Sequence, residues 1–259
     1  MSKRPILVTN DDGITSPGIH ALAEALEPLG EVWVCAPDRE QSAVSHGVSL
    51  QRPLRVNHIR DRWFAIDGTP TDCVMLGVHG LMKRPPALVV SGINNEANPA
   101  DDLAYSGTVA GAHEGMLLGI PAIAVSNVSF FPEHLETAGH YARMIAEYCL
   151  EHGLPRETML NVNVPDLALA EIRGMSLARM GRGAYRAEII EREDPRGVAY
   201  YWIGGTKPED VATSGSDFEA VADSRVSVTP LRRDLTCDIA LADLAASFPA
   251  PRDTGPAVS

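Results

Sequence analysis

Short apolar segments alternate with amphipathic segments over the first two thirds of the chain. The run PILVT is followed by PGIHALAEALEPLG, in which apolar residues recur at helical spacing, and then by the apolar run EVWVCAP. This order predicts a strand, a helix and a second strand that lies parallel to the first, because such crossovers are right-handed and connect neighbouring strands. The sequence therefore predicts a β–α–β unit at its start.

The alternation continues to about residue 165. The further predicted helices are TPTDCVMLGVHGLM, SGTVAGAHEGMLLG and PEHLETAGHYARMIAEYCLEHG. The further predicted strands are GVSLQ, LRVNHI, WFAID, PALVVSG, PAIAVSN and TMLNVNVP. Strands that alternate with helices are typical of an α/β protein with a doubly wound parallel sheet, here a Rossmann-like three-layer sandwich. We therefore expect one such core over residues 1–165.

The pattern changes after residue 165. Residues 166–235 contain turn residues and the hairpin-like segments AYRAEIIERED, GVAYYWIGG and RVSVTPL. The consecutive side chains of Tyr200, Tyr201 and Trp202 cannot all face one core, so a partner chain is expected to cover some of them. We therefore predict a β-hairpin-rich extension over residues 166–235 that mediates oligomerisation. Residues 236–259 are predicted to form a C-terminal helix and a disordered tail, FPAPRDTGPAVS.

The charge of the chain narrows the classes of ligand that it can bind. A net charge of -12 and a pI of about 5.1 argue against polymeric nucleic acid and against an anionic membrane surface, because both require a basic face. A small phosphorylated substrate remains compatible with this charge if a cation reverses the local sign.

The cysteines and the first residues predict a location in the cell. The four cysteines are Cys35, Cys73, Cys149 and Cys237. They form no C-x-x-C pair and each lies in an apolar context, which favours buried, reduced thiols. The segment MSKRPILVTNDDG lacks the apolar centre of a signal peptide, and no later run is long enough to span a membrane. These features predict a cytoplasmic protein without a membrane partner.

The segment NDDG raises the main chemical question, because it places Asp11 and Asp12 side by side at the end of a predicted buried strand. Two like charges repel, and burial strengthens the repulsion. Oxygen-rich loops also follow the next predicted strands, at residues 38–45 and in SGINNEANPADDLAYSGT. The carboxyl ends of parallel strands meet at one edge of the sheet, where ligands bind. The carboxylates therefore lie either in a solvated turn or around something positive, and their place at this edge favours a functional site.

Three other interpretations of the first loop are weaker. NDDG alone is compatible with a turn in which an Asx side chain caps the next helix and Gly13 has a positive φ. A phosphate-binding P-loop fails because Ile19 and His20 stand where Lys and Ser or Thr are required, and the G-x-G-x-x-G of dinucleotide-binding folds is absent. A D-x-D phosphatase fails because Asn10 occupies the nucleophile position, and an amide cannot form a covalent phosphoryl intermediate.

The adjacent pair Ser45 and His46 is a weak candidate for nucleophilic catalysis. Neighbouring residues rarely orient one toward the other, and no G-x-S-x-G motif surrounds Ser45. A structural role, or a role in a substrate loop, is favoured instead.

Several long motifs together resemble the SurE family, the stationary-phase survival proteins. They are ILVTNDDGITSPGIHALAEAL, APDREQSAVSHGVSL, GTPTDCVMLG, VVSGIN and YSGTVAGAHEGMLLGIPAIAVS. The resemblance extends from residue 6 to about residue 165 and reappears in RVSVTPLRRDLT.

The resemblance implies a metal-dependent phosphatase, a 5′- and 3′-nucleotidase that acts on nucleoside monophosphates and, in some members, on short polyphosphate. It implies Asp11, Asp12, Ser42 and Asn94 as ligands of one divalent cation per subunit, with Asp11 and Asp12 also catalytic. All four supply hard oxygens, which suit Mg²⁺, Mn²⁺ or Ca²⁺. It also implies a homodimer or homotetramer in which the extension reaches across to the neighbouring subunit.

The same resemblance implies where the substrate binds. The helix that begins at SGTVAG would direct its backbone N–H groups at the phosphate. The implied substrate-binding residues are Asn10, Asn98, Ser106, Gly107 and Thr108.

One segment departs from the family pattern SGIN-R/A-G-x-N-x-G-DD. This chain has Asn95, Glu96 and Ala100 at positions of that pattern, and Glu96 places a negative charge near an anionic substrate. Two other classes of function use the same oxygen ligands: a non-catalytic, metal-dependent nucleotide or phosphate sensor, and a transferase that holds the metal of a nucleotide-sugar.

Overall fold

The computed structural model describes residues 4–183, 186–206 and 213–249. The strands are β1 Pro5–Thr9, β2 Glu31–Pro37, β3 Val56–Arg60, β4 Trp63–Ile66, β5 Leu88–Asn95, β6 Ala122–Asn127, β7 Thr158–Val164, β8 Met175–Leu177, β9 Arg186–Glu193, β10 Ala199–Thr206 and β11 Val226–Arg232. The α-helices are α1 Pro17–Leu26, α2 Pro70–Leu76, α3 Gly107–Leu117, α4 Leu135–His152, α5 Asp217–Ala222 and α6 Asp238–Ala245.

Nine strands form one sheet in the order β3-β4-β2-β1-β5-β6-β7-β11-β8. In this order, all neighbouring strands between β4 and β7 pair in parallel. The pairs β3–β4 and β7–β11 are antiparallel. One face of the sheet packs with α1 and α4, and the opposite face packs with α2 and α3. The predicted doubly wound, three-layer α/β architecture is confirmed.

Helix α1 begins as its sequence predicts and ends earlier. Ser16 is the N-cap and accepts a hydrogen bond from the N–H of Gly18, while Pro17 occupies the first turn, where its missing N–H costs nothing. The buried stripe includes Ile19, Leu22 and Leu26. The helix ends at Leu26, although the apolar periodicity continues to Leu29, which packs against the core from the following turn.

The segment GVSLQ was expected to be a strand, and this prediction is wrong. Its backbone pairs with the start of α2 instead of with a strand: Thr69 Oγ1 donates to the carbonyl of Gly47, and the Ser49 N–H donates to Asp72 Oδ1. Thr69 and Asp72 also form the capping box of α2. Polar groups at a helix N-terminus therefore hold this segment, and an apolar–polar alternation does not reveal such a contact.

The segment after residue 165 divides between two sheets. Strands β8 and β11 complete the edge of the nine-stranded sheet, and β9 pairs with β10 as a separate antiparallel hairpin. The C-terminal helix is α6, and its described residues have no buried side chain. The tail residues 250–259, together with Ala184 and Tyr185 at the start of the predicted hairpin, lie outside the described residues.

Three of the four cysteines are buried as expected, and the prediction for Cys237 is wrong. Burial raises the pKa of the Cys35 and Cys149 thiols to about 12, and it raises the pKa of Cys73 well above its usual value. Cys237 is exposed because it precedes α6, which packs no side chain into the core. Among the described helices, none combines the length and apolar composition needed to cross a membrane.

Candidate active site

Asp11 and Asp12 lie one residue after the end of β1, at the carboxyl edge of the sheet. Asp11 is only 5% exposed, and its Oδ1 accepts a hydrogen bond from Thr108 Oγ1 at the start of α3. Asp12 is half-buried, and its Oδ2 accepts from the Asn95 N–H at the end of β5, at 3.4 Å. The carboxylates are therefore held by the two elements that the sequence placed at the same rim.

The electrostatic environment of this pair disfavours two negative charges. Burial raises the pKa of Asp11, although hydrogen bonds from Thr108 and Gly107 oppose the shift. Burial, and then the charge of Asp11, raise the pKa of Asp12 to about 6, with smaller contributions from Glu40 and Glu96. A divalent cation between the carboxylates would remove this penalty, because positive charge favours their ionised forms.

In the turn after β1, one end of the Asn10 amide is hydrogen-bonded to a residue that the structure describes and the other is not. Asn10 Nδ2 donates to the carbonyl of Gly13 at 3.0 Å, and Gly13 has φ +91°, as the turn interpretation expects. Asn10 Oδ1 is buried and accepts no hydrogen bond from the described residues. A buried oxygen without a donor is costly, so this atom is suited to a donor or a cation supplied by a ligand.

Helix α3 approaches Asp11 closely at Gly107. A Cβ atom at Gly107 would lie 2.8 Å from Asp11 Cβ and 2.9 Å from its Oδ2. The backbone N–H groups of Gly107 and Thr108 hydrogen-bond to the Asp11 carboxylate, and the Ser106 side chain caps the helix by accepting from the Val109 N–H. The N-terminus of α3 therefore already directs its donors at negative charge in this site.

The other two implied ligands lie on either side of the pair: Ser42 in the loop after β2, and Asn94 near the end of β5. The Gln41 N–H donates to the carbonyl of Asp11, so the Ser42 loop is attached at this point. The exposed Ser42 hydroxyl donates to Glu40 Oε1 at 2.7 Å in this structure. Asn94 Nδ2 donates to the carbonyl of Glu96, which leaves Oδ1 as the atom that could bind a cation.

Asn98, an implied substrate contact, is buried and anchors its loop. Its Nδ2 donates to Ser126 Oγ, its N–H donates to Asn163 Oδ1, and its carbonyl accepts from Asn161 Nδ2. Sequence reasoning missed these partners on β6 and β7. The available signal was the alternation of Asn161 and Asn163 in a strand whose other residues are mainly apolar.

A second set of contacts that the sequence did not reveal joins the Ser42 loop to α3. His46 Nε2 lies 2.9 Å from Glu114 Oε2, and His46 Nδ1 lies 3.1 Å from His113 Nδ1. Ser45 Oγ donates to the carbonyl of Ala104, so Ser45 and His46 have separate partners. The signal for this cluster was a glutamate in a helix whose other residues are mainly small and apolar.

The donor chemistry of the rim fits a hard cation. In the described part of the chain no group of three His, Cys, Asp or Glu side chains could hold a metal ion. A cation between Asp11 and Asp12 would therefore complete its coordination with amide, hydroxyl or water oxygens, which Mg²⁺, Mn²⁺ and Ca²⁺ accept.

The fold and the rim define an α/β protein with an oxygen-donor site at the carboxyl ends of its parallel strands. The model of the family described as Survival protein SurE matches residues 6–187. The chain belongs to the SurE family.

Curated relatives match most of this chain. A protein of Myxococcus xanthus named 5′-nucleotidase SurE is 52% identical over 94% of both chains. Another of that name, from Geobacter sulfurreducens, is 52% identical over 89% of this chain and 88% of its own. The crystal structure of the SurE protein from Aquifex aeolicus superposes with a TM-score of 0.84 at 42% identity, and it covers 93% of this chain and 98% of its own.

Proposed function

We propose that this protein is a 5′-nucleotidase, a metal-dependent phosphomonoesterase that hydrolyses nucleoside 5′- and 3′-monophosphates to nucleoside and phosphate. Short polyphosphate is a further candidate substrate. The observation that carries the proposal is the pair of a buried Asp11 and a half-buried Asp12, in which Asp11 contacts the donor-rich start of α3. Membership of the SurE family and the names of its relatives support the same activity.

One divalent cation per subunit, Mg²⁺, Mn²⁺ or Ca²⁺, is proposed to bind Asp11, Asp12, Ser42 and Asn94. When bound, it supplies positive charge that offsets the charge of the phosphate group and favours an ionised water. The raised pKa values of the two aspartates and their all-oxygen surroundings support this assignment.

The protein's own groups orient the substrate. The N–H groups of Gly107 and Thr108 and the Thr108 hydroxyl donate to Asp11 in this structure. With the hydroxyl of Ser106, they are the donors at the start of α3 that a bound phosphate would share with Asp11. Asn10 presents its unpartnered Oδ1 from the turn after β1. Asn98 acts by fixing the loop that leads into α3. Together, these residues hold the phosphate in one orientation and exclude water from its bound face.

Phosphate release from a panel of nucleotides tests the proposed function. Nucleoside 5′- and 3′-monophosphates are incubated with the full chain in Mn²⁺, in Mg²⁺ or in excess chelator, and free phosphate is measured. We expect release with either metal and none with chelator. Binding of nucleotides without release would favour the sensor instead, and transfer of the phosphate or sugar to an acceptor would favour the transferase.

Glu96 is expected to weaken the binding of anionic substrates. Its charge is close enough to raise the pKa of Asp12, and its φ of +133° strains a residue with a side chain. Glu96→Gly should therefore lower KM for a nucleoside monophosphate by about fivefold, the effect of one like charge several ångströms away, and change kcat little. Steady-state kinetics at saturating metal measure both constants.

Glu157→Gly is a matched control for Glu96→Gly. Glu157 also has a positive φ, at +57°, but it is exposed and pairs with Arg233 rather than with the aspartate pair. We expect this control to leave KM unchanged. Equal KM values in the Glu96 variant and the wild-type protein would place the Glu96 carboxylate too far from the substrate to act on it.

A homodimer or homotetramer formed through the extension is proposed. On the β9–β10 hairpin, the Trp202 side chain is 63% exposed and Ile203 is 76% exposed. Exposed apolar side chains of this kind are usually covered by a partner.

Light scattering of the full chain at micromolar concentration should give twice or four times the mass of the chain. The double change Trp202→Ser and Ile203→Ser should move the mass toward that of one chain, whereas Leu117→Ser on α3 should not. A monomeric wild-type protein would mean that the hairpin has another role.

A cytoplasmic location and a role in survival under stress are also proposed. The buried, unpaired thiols of Cys35, Cys73 and Cys149 support a reducing compartment. The description of the family as a survival protein supports the role in survival under stress.

A further inference from the structure

His46 lies at the centre of a chain of three polar side chains. It contacts Glu114 Oε2 through Nε2 at 2.9 Å and His113 Nδ1 through its own Nδ1 at 3.1 Å. The two imidazole rings are 4.9 Å apart and nearly perpendicular. Glu114 is 8% exposed, so its carboxylate is held in a poorly solvated position where a hydrogen-bond donor has a large effect.

The order of donors along this chain follows from its two ends. Glu114 is an acceptor, so His46 Nε2 carries the proton that it donates. In a neutral His46 ring, Nδ1 is then an acceptor, and His113 Nδ1–H is its donor. Both rings can therefore be neutral and still satisfy every contact, and the arrangement fixes one tautomer of each ring.

The contacts join two elements that carry site residues. His46 belongs to the loop 38–47, which also contains Ser42, and Glu114 lies on α3, whose first turn holds Asp11 through Thr108. The backbone of this loop is unusual, since Ala43 and Ser45 have φ values of +56° and +52°. Conformations of this kind persist only where surrounding contacts impose them.

We propose that His46 is a positioning residue of the active site, which fixes the Ser42 loop against α3 through its contacts with Glu114 and His113. This inference rests on the proposed function only for its consequence in catalysis. The fixing of the loop is a property of the protein without metal or substrate.

Two further features of the surroundings agree with this role. Burial, and then the neighbouring His46, lower the pKa of His113, which favours the neutral His113 ring of this hydrogen-bond order. The titratable and charged groups that act on the pKa of His113 are His46, Glu114 and Arg233, in decreasing order of effect. On α2, which also packs against α3, Asp72 is already occupied by the N–H groups of Thr69 and Ser49.

Hydrogen–deuterium exchange of the full chain tests the fixing of the loop directly. His46→Ala and Glu114→Ala should each increase exchange in peptides that cover residues 38–47 by about tenfold, the effect of losing one hydrogen bond to a charged group. Glu114→Gln should stay near wild type, because its side-chain oxygen still accepts from His46 Nε2. His140→Ala, on the exposed face of α4, is the control.

The consequence for the site is measured in the same variants. The Mn²⁺ concentration that gives half of the metal-induced rise in melting temperature should increase by about tenfold in His46→Ala and Glu114→Ala, and little in Glu114→Gln. Unchanged exchange in the loop of His46→Ala would overturn the inference. Increased exchange with an unchanged Mn²⁺ midpoint would overturn the positioning role.

These outcomes separate the inference from the proposed function. Absence of phosphate release from wild-type protein would contradict the nucleotidase, whereas the exchange result would still decide whether His46 fixes the loop. If His46→Ala is insoluble, the contrast between Glu114→Ala and Glu114→Gln decides the same question, because only the alanine variant loses the acceptor.

Discussion

Replacement of Asp12 by Asn is expected to lower kcat/KM for a nucleoside monophosphate by about 10³-fold or more, the loss of several kcal/mol of transition-state stabilisation. The substitution keeps the shape of the side chain and its contact with the Asn95 N–H, so the fold should survive. What it removes is half of the negative charge that is proposed to hold the cation. Asp11→Asn should behave in the same way, because it removes the charge of the other, more deeply buried carboxylate of the pair.

Asp61→Asn is the matched control, since Asp61 is an exposed carboxylate that pairs with Arg62 away from the rim. We expect its kcat/KM and its metal dependence to equal those of the wild-type protein. Full activity with normal metal dependence in either Asp11→Asn or Asp12→Asn would remove the aspartate pair from the mechanism.

The Asp12→Asn variant should be more stable than the wild-type protein when metal is absent. The pKa of Asp12 is raised from 3.8 to about 6 on folding, so the folded metal-free protein loses stability as the pH rises from about 4 through about 6. Two pKa units correspond to about 3 kcal/mol, and partial exposure of Asp12 reduces this to roughly 1 to 2 kcal/mol. Asp12→Asn abolishes this loss.

Urea unfolding in excess chelator measures the effect. The free energy of unfolding of Asp12→Asn should exceed that of wild type at pH 7.5 and equal it near pH 4. Saturating Mn²⁺ should reverse the order at pH 7.5, because only the wild-type pair binds the ion fully. Equal stabilities in chelator at both pH values would mean that the two carboxylates do not repel.

Gly107→Ala is expected to reduce kcat/KM by about 10²-fold or more, although it adds only one methyl group. The new Cβ would lie within 3 Å of the Asp11 side chain, and a displacement of about 1 Å in an active site can cost this much in rate. Helix propensity acts in the opposite direction, since Ala is favoured over Gly by about 1 kcal/mol inside a helix. A loss of activity would therefore report the contact with Asp11 and not a weakened helix.

Gly80→Ala is the control for Gly107→Ala. A Cβ at Gly80 would meet no atom within 4 Å, so kinetics and stability should stay near wild type. Wild-type kcat/KM in Gly107→Ala would show that the start of α3 can move away from Asp11 without consequence.

The layers of the fold and the position of the aspartate pair were predictable from local sequence. Apolar runs with helical segments between them place β1, α1 and β2 in order, and a polar residue that follows an apolar run identifies the rim. The N-cap of α2 is also encoded locally, because Thr69 and its capping-box partner Asp72 are three residues apart.

Contacts between distant residues were not predictable in this way. His46 and Glu114 are 68 residues apart, and Asn98 contacts Asn163 over 65 residues; no local period encodes such pairs. The residues of β8 and β11 fall in the predicted extension, because their sequence does not reveal that they pair at the β7 edge of the large sheet. The close approach at Gly107 depends on the packing of α3 against Asp11, which only the three-dimensional structure provides.

Titration of the metal-free protein with Mn²⁺ in a calorimeter, with phosphate release from a nucleoside 5′-monophosphate measured on the same samples, tests whether the Asp11 and Asp12 pair binds a cation that phosphate release requires. We predict one Mn²⁺ per chain, phosphate release that rises with occupancy, and loss of both in Asp12→Asn. Phosphate release that persists at full rate in excess chelator, or wild-type Mn²⁺ binding by Asp12→Asn, would contradict this role of the pair.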